Sequence, residues 1–138
     1  MTTIAADATE RVMACDAFWF SSDECGLVKK VFRVRGALVG AAGDLREIVR
    51  WLEAYRKKRD LPDDLSITVL RLSADGLHTW TAADGWLPVD EPRYAIGSGG
   101  KCARGAMAAG ASCREAVRIA ATIDAGTGGP VRTYRLKG

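Results

Sequence analysis

Apolar positions run through residues 2–7 and 10–20, broken by Ala8-Thr9-Glu10, a pattern that predicts a hairpin of two β-strands. A polar break at Ser21-Ser22-Asp23-Glu24 leads to a strand over Leu27–Val34, and Arg35-Gly36 turns the chain into the small-residue strand Ala37–Ala42. Asp44 reads as a helix N-cap with Glu47 three residues on, and Leu45, Ile48, Val49, Leu52 and Tyr55 then recur at helical spacing. The pattern predicts an amphipathic helix over 45–59, stopped by Leu61-Pro62-Asp63-Asp64. Strands follow near 66–73 and 76–82, joined at Asp75-Gly76, a dipeptide that favours hairpins. Pro88 and Pro92 mark a loop before the short strand Tyr94-Ala95-Ile96. An alanine-rich helix is predicted over about 100–109. Ser112 and Glu115 form a capping box for another helix through Ile123, and Pro130–Leu136 closes the chain as a strand.

Blocks of strands interrupted by blocks of helices define an α+β chain, with two sheets held between helical layers rather than a βαβ repeat. The 138 residues suit one domain, residues 1–138, and 48% hydrophobic with 27% charged residues is an ordinary globular balance. A net charge of +3 gives no footprint for nucleic acid. The basic run Arg56-Lys57-Lys58-Arg59 reads as a solvated helix end whose cations complement the helix dipole. No apolar run reaches membrane-spanning length, and no basic segment of a signal peptide precedes the first strand, so the expected setting is the cytoplasm. The four cysteines, at 15, 25, 102 and 113, lack zinc spacing, and His78 is the only histidine; neither metal nor cofactor is expected.

Chemistry therefore has to come from elsewhere. Removal of Met1 would leave Thr2 as an N-terminal threonine, which carries a hydroxyl nucleophile and an α-amine base on one residue and needs no histidine. Asp16 stands in the apolar run Val12–Phe18, where an ionised carboxylate requires a partner, and Lys30 is the candidate. A lysine near the amine would also keep that amine partly unprotonated. Gly97-Ser98-Gly99-Gly100 opens a helix at a strand end, where backbone amides and a hydroxyl converge. It is not a phosphate-binding P-loop: Ala95 replaces the required first glycine and Cys102 the required Ser or Thr.

Taken in order, Thr2-Thr3-Ile4, Asp16, Val28-Lys29-Lys30-Val31, Val39-Gly40-Ala41-Ala42-Gly43, Tyr94 to Gly100 and Asp124 to Thr127 resemble the bacterial HslV peptidases of the proteasome β-type family, over nearly the whole chain. That resemblance implies a four-layer αββα sandwich and an N-terminal threonine peptidase acting on unfolded polypeptide. It implies Thr2 as nucleophile, Lys30 and Asp16 as the groups that tune it, and a network of Ser98, Asp124 and Thr127 around the threonine amine. The Gly40 N–H is implied as oxyanion donor, and Val28, Phe32, Leu38 and Ala42 as an apolar substrate pocket. A homo-oligomer, ring or dimer, and an ATPase unfoldase are the implied partners. Relatives carry a second long helix where this chain has only Asp60–Leu65, so one outer helix should be reduced or missing, and the Thr2–Asp16 and Asp16–Lys30 spacings are slightly short. Trp19, Phe20, Trp80 and Trp86 are candidates for interface anchors or core caps. A catalytically silent assembly subunit and a small-amide hydrolase are the competing readings.

Overall fold

A computed structural model describes residues 2–20 and 24–138; the Met1 removal and most of the polar break at 21–24 lie outside the described residues. Two antiparallel sheets face each other. The first has strand order β10-β1-β2-β11, built from β1 (Ile4–Asp7), β2 (Val12–Cys15), β10 (Arg93–Ile96) and β11 (Arg132–Arg135). The second runs in chain order through β5 (Val31–Val34), β6 (Ala37–Ala42), β7 (Thr68–Ser73), β8 (Gly76–Thr81) and β9 (Gly85–Val89). A separate hairpin pairs β3 (Phe18–Phe20) with β4 (Cys25–Leu27). Helix α1 (Leu45–Arg56) follows β6, and α2 (Gly100–Ala108) and α3 (Cys113–Ile123) lie between β10 and β11.

Period-2 alternation decides what each face meets. Ile4, Ala6, Met13, Cys15 and Ile96 on one sheet pack against Val31, Leu38, Leu70, Leu72 and Leu77 on the other. The opposite face of the first sheet offers Ala5, Ala14 and Ala95 to Ala103, Met107, Ala116, Val117 and Ala120 of α2 and α3. Alanines on both sides let the helices approach closely. On the outer face of the second sheet, Val39, Ala41, Val69 and Trp80 meet Ile48, Trp51, Leu52 and Tyr55 of α1. The interior strand β6 is thus buried on both faces, and every one of its residues is apolar or glycine.

Several expected elements differ. The run 10–20 is two strands, because the chain leaves the first sheet at Asp16: the Ala17 and Phe18 N–H groups both turn to the Gly128 carbonyl. The expected strand 27–34 is likewise divided, with Val28 N–H donating to Ala17 O and β5 starting only at Val31. Helix α1 stops at Arg56, three residues early, and Lys58 takes a left-handed φ of 54°. No helix occupies residues 57–67; in its place that segment packs Leu65 and Ile67 beside α1 on the outer face of the second sheet. The segment holding Pro88, read as loop, is edge strand β9; an edge position tolerates a residue without an N–H. The inward face of α1 is also rotated from the expected stripe: Trp51 is fully buried, whereas Leu45 and Val49 are 45% and 55% exposed. Trp80 is buried in the core, and Trp86, partly buried, packs against Trp51 and Tyr55 at its margin. Among the described residues no helix is long and apolar enough to cross a membrane.

Candidate active site

The N-terminal end of β1 meets the β10–α2 turn. Thr2, almost fully buried, donates its N–H to Ser98 Oγ at 3.1 Å, and its carbonyl accepts from Gly99 N–H at 3.3 Å. Gly97 has φ of +95°, and a Cβ there would lie 1.9 Å from Thr2 O, so glycine alone permits this approach. Ser98 Oγ passes its own hydrogen to Asp124 Oδ2 at 2.6 Å, and Thr127 Oγ1 donates to the same oxygen at 2.5 Å. Because the Thr127 hydrogen is committed to Asp124, Thr127 accepts from Thr3 Oγ1, 2.7 Å away. The proton directions are therefore fixed along the whole chain of hydroxyls. The Ser98 hydrogen bond, followed by that of Thr127, holds the Asp124 carboxyl below the ordinary carboxylate value.

A second network lies beside it. Asp16 and Lys30 are both buried, with Lys30 Nζ 2.9 Å from Asp16 Oδ1. The same oxygen accepts from Thr3 N–H at 3.1 Å, and Oδ2 accepts from Gly128 N–H at 3.1 Å. Removing two charges from water is repaid only when their remaining hydrogen-bonding capacity is filled, as it is at this carboxylate. The strand breaks at Asp16 and before Val31 are what allow these side chains to meet across the sheet ends. Cys15, next in sequence, has its thiol pushed up to about 12, chiefly by burial and then by the Asp16 charge, and stays neutral.

Thr2 and Lys30 open onto a pocket of about 320 Å³ whose walls include Phe18, Trp19, Phe20, Val28, Leu45 and Gly43. Of the residues expected to line a substrate pocket, only Val28 does so. Leu38 and Ala42 point between the sheets, and Phe32 belongs to a separate groove along α1. Gly40 is misplaced for an oxyanion donor. Its Cα faces the sheet interior, where a Cβ would come within 2.8 Å of Ile4 Cγ2 and 3.2 Å of Met13 Sδ. Since Ala41 N–H turns to Lys30 O on the β5 side, strand alternation sends Gly40 N–H the other way, towards its β7 partner Leu70. The same alternation aims Gly43 N–H past the end of β5, into the pocket.

Gly43 is the residue that sequence reasoning missed. It has φ of +139°, packs with its Cα against Ile67, and its N–H has no hydrogen bond among the described residues. Two signals pointed to it: it ends the same small-residue segment as Gly40, and it immediately precedes the Asp44 N-cap, whose side chain accepts from Arg46 N–H. Backbone donors collect at such strand-to-helix junctions. Among the described residues no cluster of His, Cys, Asp and Glu could hold a metal ion.

Two antiparallel sheets between helices, with Thr2 buried at the start of the first strand, form an α+β fold that matches solved HslV and proteasome-like structures. Solved structures with this fold include HslV from Trypanosoma brucei, which is 20% identical over 96% of this chain and 98% of its own, with a TM-score of 0.76. BPH from Thiobacillus denitrificans in complex with epoxomicin is 20% identical over 99% of this chain and 100% of its own, with a TM-score of 0.77. A second structure of BPH from Thiobacillus denitrificans gives 20%, 99% and 98%, with a TM-score of 0.72. At these identities the likeness concerns the fold. No sequence-family model matches the chain, and no curated protein matches it.

Proposed function

We propose that the chain is a threonine peptidase in which Thr2, freed by removal of Met1, is the nucleophile. The observation that carries this reading is the contact of Thr2 N–H with Ser98 Oγ at 3.1 Å, in a network that ends on the Asp124 carboxylate. An α-amine at that nitrogen would be held by the serine oxygen while its lone pair faces the threonine hydroxyl. The amine takes the proton from Thr2 Oγ as the oxygen attacks the peptide carbonyl. Lys30, fixed by Asp16, disfavours a second positive charge nearby and keeps the amine basic in the neutral range. Gly43 N–H, rather than that of Gly40, receives the oxyanion of the tetrahedral intermediate. The amine then returns the proton to the leaving peptide nitrogen, and water, activated by the same amine, hydrolyses the ester on Thr2.

The pocket favours a substrate that presents an apolar side chain. Phe18, Trp19, Phe20, Val28 and Leu45 dominate its walls. A charged side chain would lose its hydration among them, although Lys29, Asp44 and Arg46 at the margin allow a polar neighbour. An oligomer acting on unfolded polypeptide, with or without an ATPase, is part of the same proposal.

BPH holds epoxomicin in one of its structures, which supplies a direct test. Incubation with epoxomicin should add one inhibitor mass to the intact chain that lacks Met1. The adduct should be absent from Thr2→Ala, which should also lose hydrolysis of short fluorogenic peptides while keeping its circular dichroism spectrum. Lys30→Ala should come close to the same loss. Wild-type turnover by folded Thr2→Ala would overturn the mechanism.

A further inference from the structure

The second half of the basic run after α1, Lys58 and Arg59, is part of a pocket that no stretch of sequence displays. Lys58 and Arg59 come from the chain after α1, Arg35 from the β5–β6 turn and Arg71 from β7, and all four line one recess of about 380 Å³ with Tyr55 and Trp86. No carboxylate lines this recess, and none of the four cations makes a salt bridge among the described residues.

The cations are held rather than loose. The Arg35 guanidinium lies over the Tyr55 ring at 4.9 Å and its Nη1 donates to Tyr55 O at 3.4 Å. The Arg71 guanidinium sits 4.0 Å from the Trp86 ring centre, and its Nη1 donates to Tyr55 Oη at 3.3 Å. Lys58 is placed by its left-handed backbone and its N–H bond to Tyr55 O. Arg71 Nε is buried and has no acceptor. A buried guanidinium donor left unpaired beside three further cations is unfavourable unless an anion completes the arrangement.

We propose that this recess is an anion site for a compact, multiply charged phosphate group, free or carried on a small molecule. Phosphate fits better than carboxylate because its tetrahedral oxygens accept from donors converging from several directions, as these do from a helix end, a turn and a strand. The aromatic faces of Tyr55 and Trp86 orient the two guanidinium planes before the anion arrives, which lowers the entropy lost on binding. The site stands apart from Thr2. Five steps of extended chain separate Lys30 from Arg35, about 16 Å, and eight helical residues separate Ile48, the pocket residue furthest along α1, from Arg56, about 12 Å.

Calorimetric titration of the full chain with inorganic phosphate, pyrophosphate and tripolyphosphate at constant ionic strength tests the assignment. Saturable one-to-one binding is expected, strengthening along that series and unchanged in Thr2→Ala. Arg35→Gln and Arg71→Gln should each weaken it by about tenfold or more, and Lys58→Gln by a smaller factor. Arg35 is exposed, so its variant keeps the fold even where Arg71→Gln proves unstable. Absence of saturation with all three anions, or an affinity unaltered by Arg35→Gln, would overturn the site. Equal binding of glutarate would overturn the phosphate assignment.

Discussion

Gly40 and Gly43 show how much a glycine's role depends on which way its amide points. Both sit in one segment of small residues, three apart, yet one is a spacer between sheets and the other has its N–H at the Thr2 pocket. Substitution separates them. Gly40→Ala should destabilise the chain by about 1–3 kcal/mol, since the added methyl meets Ile4 and Met13. Its kcat per folded molecule should stay near that of the parent. Gly43→Ala forces a left-handed residue against Ile67 and displaces the proposed oxyanion donor, with a fall in kcat on the order of 10²-fold. Peptide hydrolysis alongside urea unfolding of the two variants reads both effects; the reverse pattern would restore Gly40 to the mechanism. Asp124 gives a pH test. Its folded-state pKa lies below the ordinary 3.8, so its stabilising contribution is present above that value and is lost as pH falls through the folded one. The Tm gap between the parent and Asp124→Asn should be open at neutral pH and close on acidification below 3.8.

Among the elements, α1 supplies large aromatic residues, Trp51 and Tyr55, to the outer core. Trp51 is fully buried, stacks on Tyr55 at 4.8 Å and touches the rings of Trp80 and Trp86. Truncation at this position would leave a cavity at the centre of the aromatic cluster. Trp51→Ala should therefore cost about 3–5 kcal/mol, seen as a lower midpoint in chemical unfolding. A loss below about 1 kcal/mol would mean that α1 is only loosely docked. Helix α3 differs: its apolar face is built of alanines and a valine against the alanines of the first sheet, and its start is fixed by the reciprocal Ser112–Glu115 capping box.

At the scale of the molecule, apolar surface gathers near the proposed active site. Phe20, Leu27, Leu45 and Val49 are 41%, 55%, 45% and 55% exposed. Leu45 and Val49 border the groove that runs beside α1, where residues 57–67 supply no second helix. Exposed apolar residues grouped in this way favour association. Light scattering at micromolar concentration should give a mass above the 14.8 kDa of one chain. A charged substitution, Val49→Glu, should shift the equilibrium towards the monomer. A strictly monomeric parent with peptidase activity would show that catalysis needs no enclosing assembly.

Hydrophobic periodicity and local chemistry carried the α+β order, all three helices, the Asp44 N-cap, the Ser112–Glu115 capping box and the hairpin at Asp75-Gly76, because each depends on residues a few positions apart. The expected pairing of Glu47 with Asp44 fails because Glu47 accepts from Ser66 N–H instead. The order of short motifs also picked out Thr2, Asp16, Lys30, Ser98, Asp124 and Thr127, which the fold gathers at one end of the sheets. What sequence left open was decided by geometry between distant segments. The breaks at Asp16 and after Leu27 arise because backbone groups pair with Gly128 and Ala17 instead of continuing their strands. Pro88 sits in a strand because β9 happens to be an edge, which no local pattern records. The direction of each β6 amide follows from which neighbour β5 and β7 occupy, so Gly43 could be told from Gly40 only once the sheet was assembled. The same holds for the cationic recess, whose four side chains come from a turn, a strand and the end of a helix.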